Sequence, residues 1–140
     1  MFEWYSLIAF ATVAIAIFLY PPLMETVMTK LITREELEQR LSSANPPTLV
    51  EALPERYYRD GHLPGARHLP HTEVAERAPG LLPDRDTEVV VYCASATCQN
   101  SHIAARLLEQ RGYTRVAVYA GGKQDWTEAG LQLERETVAA

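Results

Sequence analysis

Two cysteines, Cys93 and Cys98, stand five positions apart in a single short loop of the sequence. The first directly follows an apolar run that reads as a buried strand over residues 88–92, and only small residues separate it from the second. A thiolate in such a loop can act as a nucleophile or carry a sulfur-based anion. The pair therefore predicts a nucleophilic or redox site, and a cysteine that merely packs at a strand end is the simplest alternative.

The residues around the cysteines allow three other roles to be compared: a phosphatase site, a zinc site and a disulfide. A cysteine phosphatase needs an arginine at the loop end to grip phosphate, but Gln99 and Ala104 stand six positions beyond the two cysteines. A zinc clip of Cys93, Cys98 and His102 would have an unfamiliar spacing and no evident fourth ligand. A Cys93–Cys98 disulfide is feasible and would serve redox chemistry rather than scaffolding. We expect no metal and no cofactor.

Strands and helices alternate along the chain, which predicts an α/β fold with a small doubly wound parallel sheet. The predicted strands or extended pieces cover residues 48–53, 66–69, 88–92 and 116–119. The predicted helices cover residues 33–41, with Thr33 and Glu36 as a capping box, and residues 71–78, 101–111 and 121–129. Ligands of such sheets bind beyond the carboxyl ends of the strands, where Cys93 falls.

The loop after Cys93 contains no lysine or arginine, so the main chain must supply any positive potential. Backbone N–H groups and the start of the following helix would stabilise a thiolate there. Asn100 and Ser101 are expected to cap that helix. We predict that an anion-binding active loop is formed by Ala94, Ser95, Ala96, Thr97, Gln99, Asn100 and Ser101.

The N-terminal segment from Trp4 to Leu23 is apolar over the length of one membrane crossing. Because it lacks the leading positive charge of a signal peptide, and because a core helix is rarely apolar on all faces, we expect a single-pass anchor. The predicted organisation is an anchor over residues 1–24, a linker over 25–32 and a domain over 33–136. Lys30 and Arg34 follow the span, which favours a cytoplasmic domain.

The charge balance limits the partners that the chain can take. Its formal net charge is −5, and no basic stretch marks a surface for nucleic acid. We therefore expect no nucleic acid as a partner, and the apolar residues 4–23 predict a membrane as one. The sequence identifies no protein partner.

The residues resemble a rhodanese domain from about Leu31 to Glu134. The resemblance lies in LITREEL from Leu31, YRDGHLPGA from Tyr58, VVVYC ending at Cys93, AARLL from Ala104, and YAGGKQDW from Tyr119 with AGL from Ala129. It implies a sulfurtransferase whose cysteine takes sulfane sulfur as a persulfide and passes it to cyanide or a thiol. Cys93 matches that cysteine, His62 matches a structural turn residue, and Trp126 matches a core position.

Two departures from the family pattern stand out. Glu51-Ala52-Leu53 replaces the usual Asp-x-Arg, so the usual salt bridge to that arginine cannot form. The active loop is two residues longer than usual and contains Cys98, which could resolve a persulfide on Cys93 or be the nucleophile itself. Two functions other than a sulfurtransferase remain open for the chain. One is an inactive rhodanese-fold binding module at the membrane, and the other is a Cys93/Cys98 thiol-disulfide redox enzyme.

Overall fold

The computed structural model describes residues 28–136, which form one five-stranded sheet with helices on both faces. The strands are β1 Lys30–Ile32, β2 Thr48–Glu51, β3 Arg67–His68, β4 Val89–Tyr92 and β5 Val116–Tyr119. The α-helices are α1 Arg34–Leu41, α2 Glu55–Asp60, α3 Val74–Leu81, α4 Asn100–Gln110 and α5 Gly122–Glu128. A short 3-10 turn, His71–Glu73, leads into α3.

All neighbouring strands pair in parallel, in the order β1-β5-β4-β2-β3. The predicted α/β architecture with a parallel sheet is therefore confirmed. Strand β4 lies in the middle of the sheet, between β5 and β2. Because these strands are parallel, the carboxyl ends of β2, β4 and β5 lie next to one another at the same edge of the sheet.

The core is divided by the sheet into two layers, because successive side chains of a strand point to opposite faces. Val89 and Val91 pack on one face with residues of α3 and α4, including Val74 and Leu108. On the other face the packed residues include Leu37 of α1, Leu49, Val90, Tyr92, Tyr119 and Trp126 of α5. Trp126 is 6% exposed.

Three elements differ from the sequence-based expectations. The predicted linker, residues 25–32, includes β1, whose three residues pair with β5 as an edge strand. Helix α2 was not predicted, and none of its residues is buried. Helix α3 also continues through Pro79 to Leu81, where we expected a loop to have begun. The first two elements are short or solvent-facing, so hydrophobic periodicity cannot reveal them.

The chain after α5 returns across the domain as a C-terminal strap, residues 131–134. His62 and Glu134 exchange two backbone hydrogen bonds, of 2.9 and 2.8 Å. Leu131 and Leu133 pack against the core layer that contains Trp126, and the indole N–H donates to the carbonyl of Gln132 at 3.0 Å. The strap thus belongs to the folded unit.

Across residues 28–136 no helix combines the length and apolar character that a membrane crossing requires. The predicted anchor, residues 1–24, lies outside the described residues. Its assignment stays a prediction from the sequence.

Candidate active site

Cys93 is the first residue after β4 and is 1% exposed. Because β4 is flanked by strands on both sides, the cysteine lies at the centre of the carboxyl edge of the sheet. This is the position at which open parallel sheets bind their ligands.

The sulfur of Cys93 lies at the start of α4. Its Sγ lies 3.3 Å from the hydroxyl of Ser101 and 3.4 Å from the carbonyl oxygen of Cys98. Ser101 is buried, and no side chain caps the start of this helix, whose N-cap residue is Gln99. The hydroxyl and the positive end of the helix dipole both favour a thiolate at this position.

The expectation that Asn100 and Ser101 cap α4 is wrong. The helix begins at Asn100, so both residues lie inside its first turn rather than before it. The Ser101 side chain points inward to the sulfur of Cys93, where it can donate to a thiolate. A position expected to stabilise the helix therefore contacts the sulfur of Cys93 instead.

A tight turn folds Cys98 back over Cys93. The N–H of Cys98 donates to the carbonyl of Ser95 at 3.1 Å, and the hydroxyls of Ser95 and Thr97 lie 3.1 Å apart. The two sulfurs form a disulfide, with the Cα atoms 6.3 Å apart, within the usual range for such bonds. Cys98 is half-buried, whereas the loop residues Ala94, Ala96, Thr97 and Gln99 are exposed.

Helix α5 holds the main chain of the active loop. The N–H of Lys123 donates to the carbonyl of Cys93 at 3.0 Å, and the N–H of Gln124 donates to that of Ala94 at 2.9 Å. Gly122 adopts a φ of +63° and lies so close that a Cβ there would overlap the carbonyl oxygen of Cys93. Residue 122 must be glycine both for its conformation and for this approach.

Beneath the loop, Lys123 pairs with a carboxylate that is fully buried. Its Nζ lies 2.8 Å from Oε1 of Glu51 and donates a hydrogen bond to the carbonyl of Tyr57 at 2.7 Å. The hydroxyl of Tyr92 donates to the other oxygen of Glu51 at 2.8 Å and accepts the N–H of Leu63 at 2.9 Å. Burial, followed by the charge of Glu51, raises the pKa of Tyr92 and keeps its hydroxyl a donor.

A second network holds the other side of α5. Asp125 accepts from the hydroxyl of Tyr119 and pairs with Arg34, whose Nη1 lies 3.1 Å from Oδ1. Burial and the hydrogen bond to Asp125 raise the pKa of Tyr119. Strand β5 and helix α1 thereby fix the first turns of α5, which in turn hold the active loop.

The remaining predicted residues lie apart from the sulfurs. His62 stacks on Tyr58, with ring centroids 3.9 Å apart, and contacts the turn and the C-terminal strap. His102 is half-exposed on the first turn of α4. Within residues 28–136, no three His, Cys, Asp or Glu side chains are arranged to hold a metal ion.

Sequence reasoning missed Lys123 and Tyr92 as parts of the site. The sequence predicted that Glu51 could not form the family's usual salt bridge, because the arginine is absent. The structure shows that Lys123 of α5 pairs with Glu51 instead. A single acid at the end of an otherwise apolar strand was the available signal, because a buried carboxylate needs a partner.

We expect Lys123→Met to lower the free energy of unfolding by about 3–5 kcal/mol, because it leaves Glu51 buried without a cation. The double variant Glu51→Gln/Lys123→Met should recover much of the loss. As a control, Arg59→Met breaks the exposed pairs with Glu55 and Glu136 and should cost about 0–1 kcal/mol. Urea unfolding of the full chain measures the free energy of unfolding of all three variants. An equal loss of stability in Lys123→Met and Arg59→Met would contradict the role of the buried pair.

Gly122→Ala tests the close approach of α5 to the active loop. Gly130→Ala is the matched control, since Gly130 has a φ of +80° but nothing within 4 Å of an added Cβ. The control should lose about 1–2 kcal/mol from backbone strain alone. Gly122→Ala should lose clearly more, because it also displaces the main chain of Cys93. Equal losses in urea unfolding would show that crowding at the loop is unimportant.

Comparisons with known proteins were made for sequence and for structure. The HTH-type transcriptional regulator Rv0324 of Mycobacterium tuberculosis is 38% identical over 103 residues, which are 74% of this chain and 44% of that protein. The putative sulfur carrier protein YrkF of Bacillus subtilis is 29% identical over 69% of this chain and 50% of its own length. The thiosulfate sulfurtransferase PspE of Escherichia coli is 38% identical over 52% of this chain and 66% of its own length. This chain thus spans about half the length of the first two relatives.

Solved structures of sulfurtransferase and rhodanese-like proteins also resemble this chain. A thiosulfate sulfurtransferase from Pseudomonas aeruginosa superposes with a TM-score of 0.68 and 28% identity, over 78% of this chain and 21% of that chain. The rhodanese-like domain of the Anabaena protein Alr3790 superposes with a TM-score of 0.68 and 26% identity, over 81% of this chain and 87% of that domain. The model of the rhodanese-like domain matches residues 33–129, well over half of the sequence, and this chain belongs to that family.

Proposed function

We propose that this domain is a sulfurtransferase in which Cys93 carries sulfane sulfur as a persulfide and passes it to a thiol or a cyanide-type acceptor. The observation that carries the proposal is the contact between the sulfur of Cys93 and the hydroxyl of Ser101, at the uncapped start of α4. That environment stabilises an anion on sulfur, as a thiolate before the reaction and as a persulfide after it. Relatives named as a sulfurtransferase and a putative sulfur carrier support it.

The proposed reaction has two displacement steps. The thiolate of Cys93 attacks the outer sulfur of a donor such as thiosulfate, whose S–S bond breaks and releases sulfite with the bonding electron pair. An acceptor thiolate or cyanide then attacks the outer sulfur of the persulfide. The Cys93 thiolate leaves, with Ser101 donating a hydrogen bond to it, and the starting state is restored.

The charge around the loop favours a donor of low charge. The loop has no lysine or arginine, and the ammonium group of Lys123 is already paired with Glu51. A doubly charged donor would therefore be held by uncharged donors such as the hydroxyl of Ser101 and by the helix dipole. A thiol persulfide bears only one negative charge on its reacting sulfur atoms and fits this site better than the dianion thiosulfate, and both kinds of donor belong in the test.

Cys93 and Cys98 variants distinguish the proposed nucleophile. The reduced full-length chain is incubated with thiosulfate or with glutathione persulfide, desalted, and read by intact mass and peptide mapping. Cys98→Ser protein should gain one sulfur atom on Cys93 and lose it to cyanide as thiocyanate, whereas Cys93→Ser protein should gain none. A failure of both donors to charge Cys93 would refute the transferase, and an adduct on Cys98 in Cys93→Ser protein would reassign the nucleophile.

A thiol-disulfide redox enzyme is the second candidate, and the observation that favours it is the contact between the two sulfurs. It predicts a reversible disulfide and no sulfur adduct with either donor. An inactive binding module predicts that neither adduct nor redox turnover occurs. The mass measurement above separates the transferase from the other two functions, and turnover of a disulfide substrate by the chain separates those two from each other.

Membrane attachment through residues 4–23, with the domain on the cytoplasmic side, is also our proposal and rests on the sequence alone. We expect the full-length chain to stay with membranes after carbonate extraction, and the domain to be degraded by protease only in vesicles that expose their cytoplasmic face. Release by carbonate would contradict the anchor. Degradation only in vesicles of the opposite orientation would contradict the topology.

A further inference from the structure

We propose that Cys98 is a second catalytic thiol, which discharges the persulfide of Cys93 as hydrosulfide and makes the domain a dithiol-dependent reductase of sulfane sulfur. This inference rests on the proposed function, since it requires a persulfide on Cys93. It goes further because it assigns the acceptor to the chain itself and identifies the class of reductant that completes the cycle.

The position of Cys98 determines which sulfur it attacks. A persulfide has an inner sulfur, the Sγ of Cys93, and an outer sulfur that came from the donor. The turn from Ser95 brings the sulfur of Cys98 into contact with the Sγ of Cys93 itself. Attack at that inner sulfur expels the outer one, whereas attack at the outer sulfur would only move it to Cys98.

The chemical step is balanced without an external oxidant. The thiol of Cys98 loses its proton to the departing sulfur and forms a bond to the Sγ of Cys93, while the S–S bond of the persulfide breaks. The outer sulfur leaves as hydrosulfide with the bonding pair, so it is reduced, and the two cysteines are oxidised to a disulfide. A dithiol then reduces that disulfide by two exchanges and becomes a disulfide itself.

The unequal exposure of the two cysteines indicates how the reductant enters. Cys93 is 1% exposed, whereas Cys98 is half-buried beside the exposed residues Thr97 and Gln99. A dithiol therefore reaches the sulfur of Cys98, and Cys93 is the leaving group. Cys93 is the better leaving group because Ser101 and the start of α4 stabilise the departing thiolate. The exposed loop residues carry no charge that would repel an approaching protein dithiol.

The test is a single turnover of the reduced, desalted full-length chain with thiosulfate, and with glutathione persulfide in parallel, in the absence of reductant. Wild-type protein should release one hydrosulfide per chain and end as the Cys93–Cys98 disulfide. Cys98→Ser protein should take up the sulfur but hold it as a persulfide on Cys93, releasing hydrosulfide roughly a hundredfold more slowly because the intramolecular attack is lost. Adding a dithiol should restore repeated turnover to wild type.

Two results would overturn the inference while leaving the proposed function intact. One is a wild-type chain that keeps its persulfide and forms no disulfide. The other is hydrosulfide release by Cys98→Ser protein at the wild-type rate. If neither donor charges Cys93 in Cys98→Ser protein, the proposed function fails and this inference fails with it. Equal circular dichroism spectra of the two proteins serve as the folding control.

Discussion

Between Gly122 and the carbonyl oxygen of Cys93 there is no space for a side chain, and the next two N–H groups of α5 bind the carbonyls of Cys93 and Ala94. This contact fixes the main chain at the point where β4 ends and the loop begins. The sulfur of Cys93 is consequently held at the first turn of α4 rather than left on a mobile loop. Placement of the Cys93 sulfur therefore depends on a contact between two segments about thirty residues apart, which only glycine permits.

The buried pair of Glu51 and Lys123 supports the same contact from below. Because Lys123 contributes its N–H to the loop and its ammonium group to Glu51, a single residue connects α5 to both β2 and β4. The ammonium group of Lys123 is thereby occupied by Glu51. The surroundings of Cys93 are thereby left to backbone and hydroxyl groups, which stabilise a thiolate without adding a full positive charge. A buried ion pair contributes geometry here more than net stability.

The sequence predicted what depends on local pattern. The central strands, the helix after the active loop and the placement of Cys93 followed from apolar runs and from the topology of parallel sheets. Strand β1 and helix α2 escaped prediction, since a three-residue edge strand and a helix without buried residues have no periodicity to detect. The inward turn of Ser101 and the pairing of Lys123 with Glu51 depend on tertiary contacts, which no local pattern encodes.

The C-terminal strap determines where this domain can be cut when it is fused to another protein. The match to the family ends at residue 129, but the strap lies beyond it and pairs with His62 through two backbone hydrogen bonds. A fusion cut at the family boundary would uncover Trp126 and leave polar groups of the turn at His62 unpaired. The transferable unit therefore runs from β1 at least to Glu134, and a shorter one would be an incomplete module.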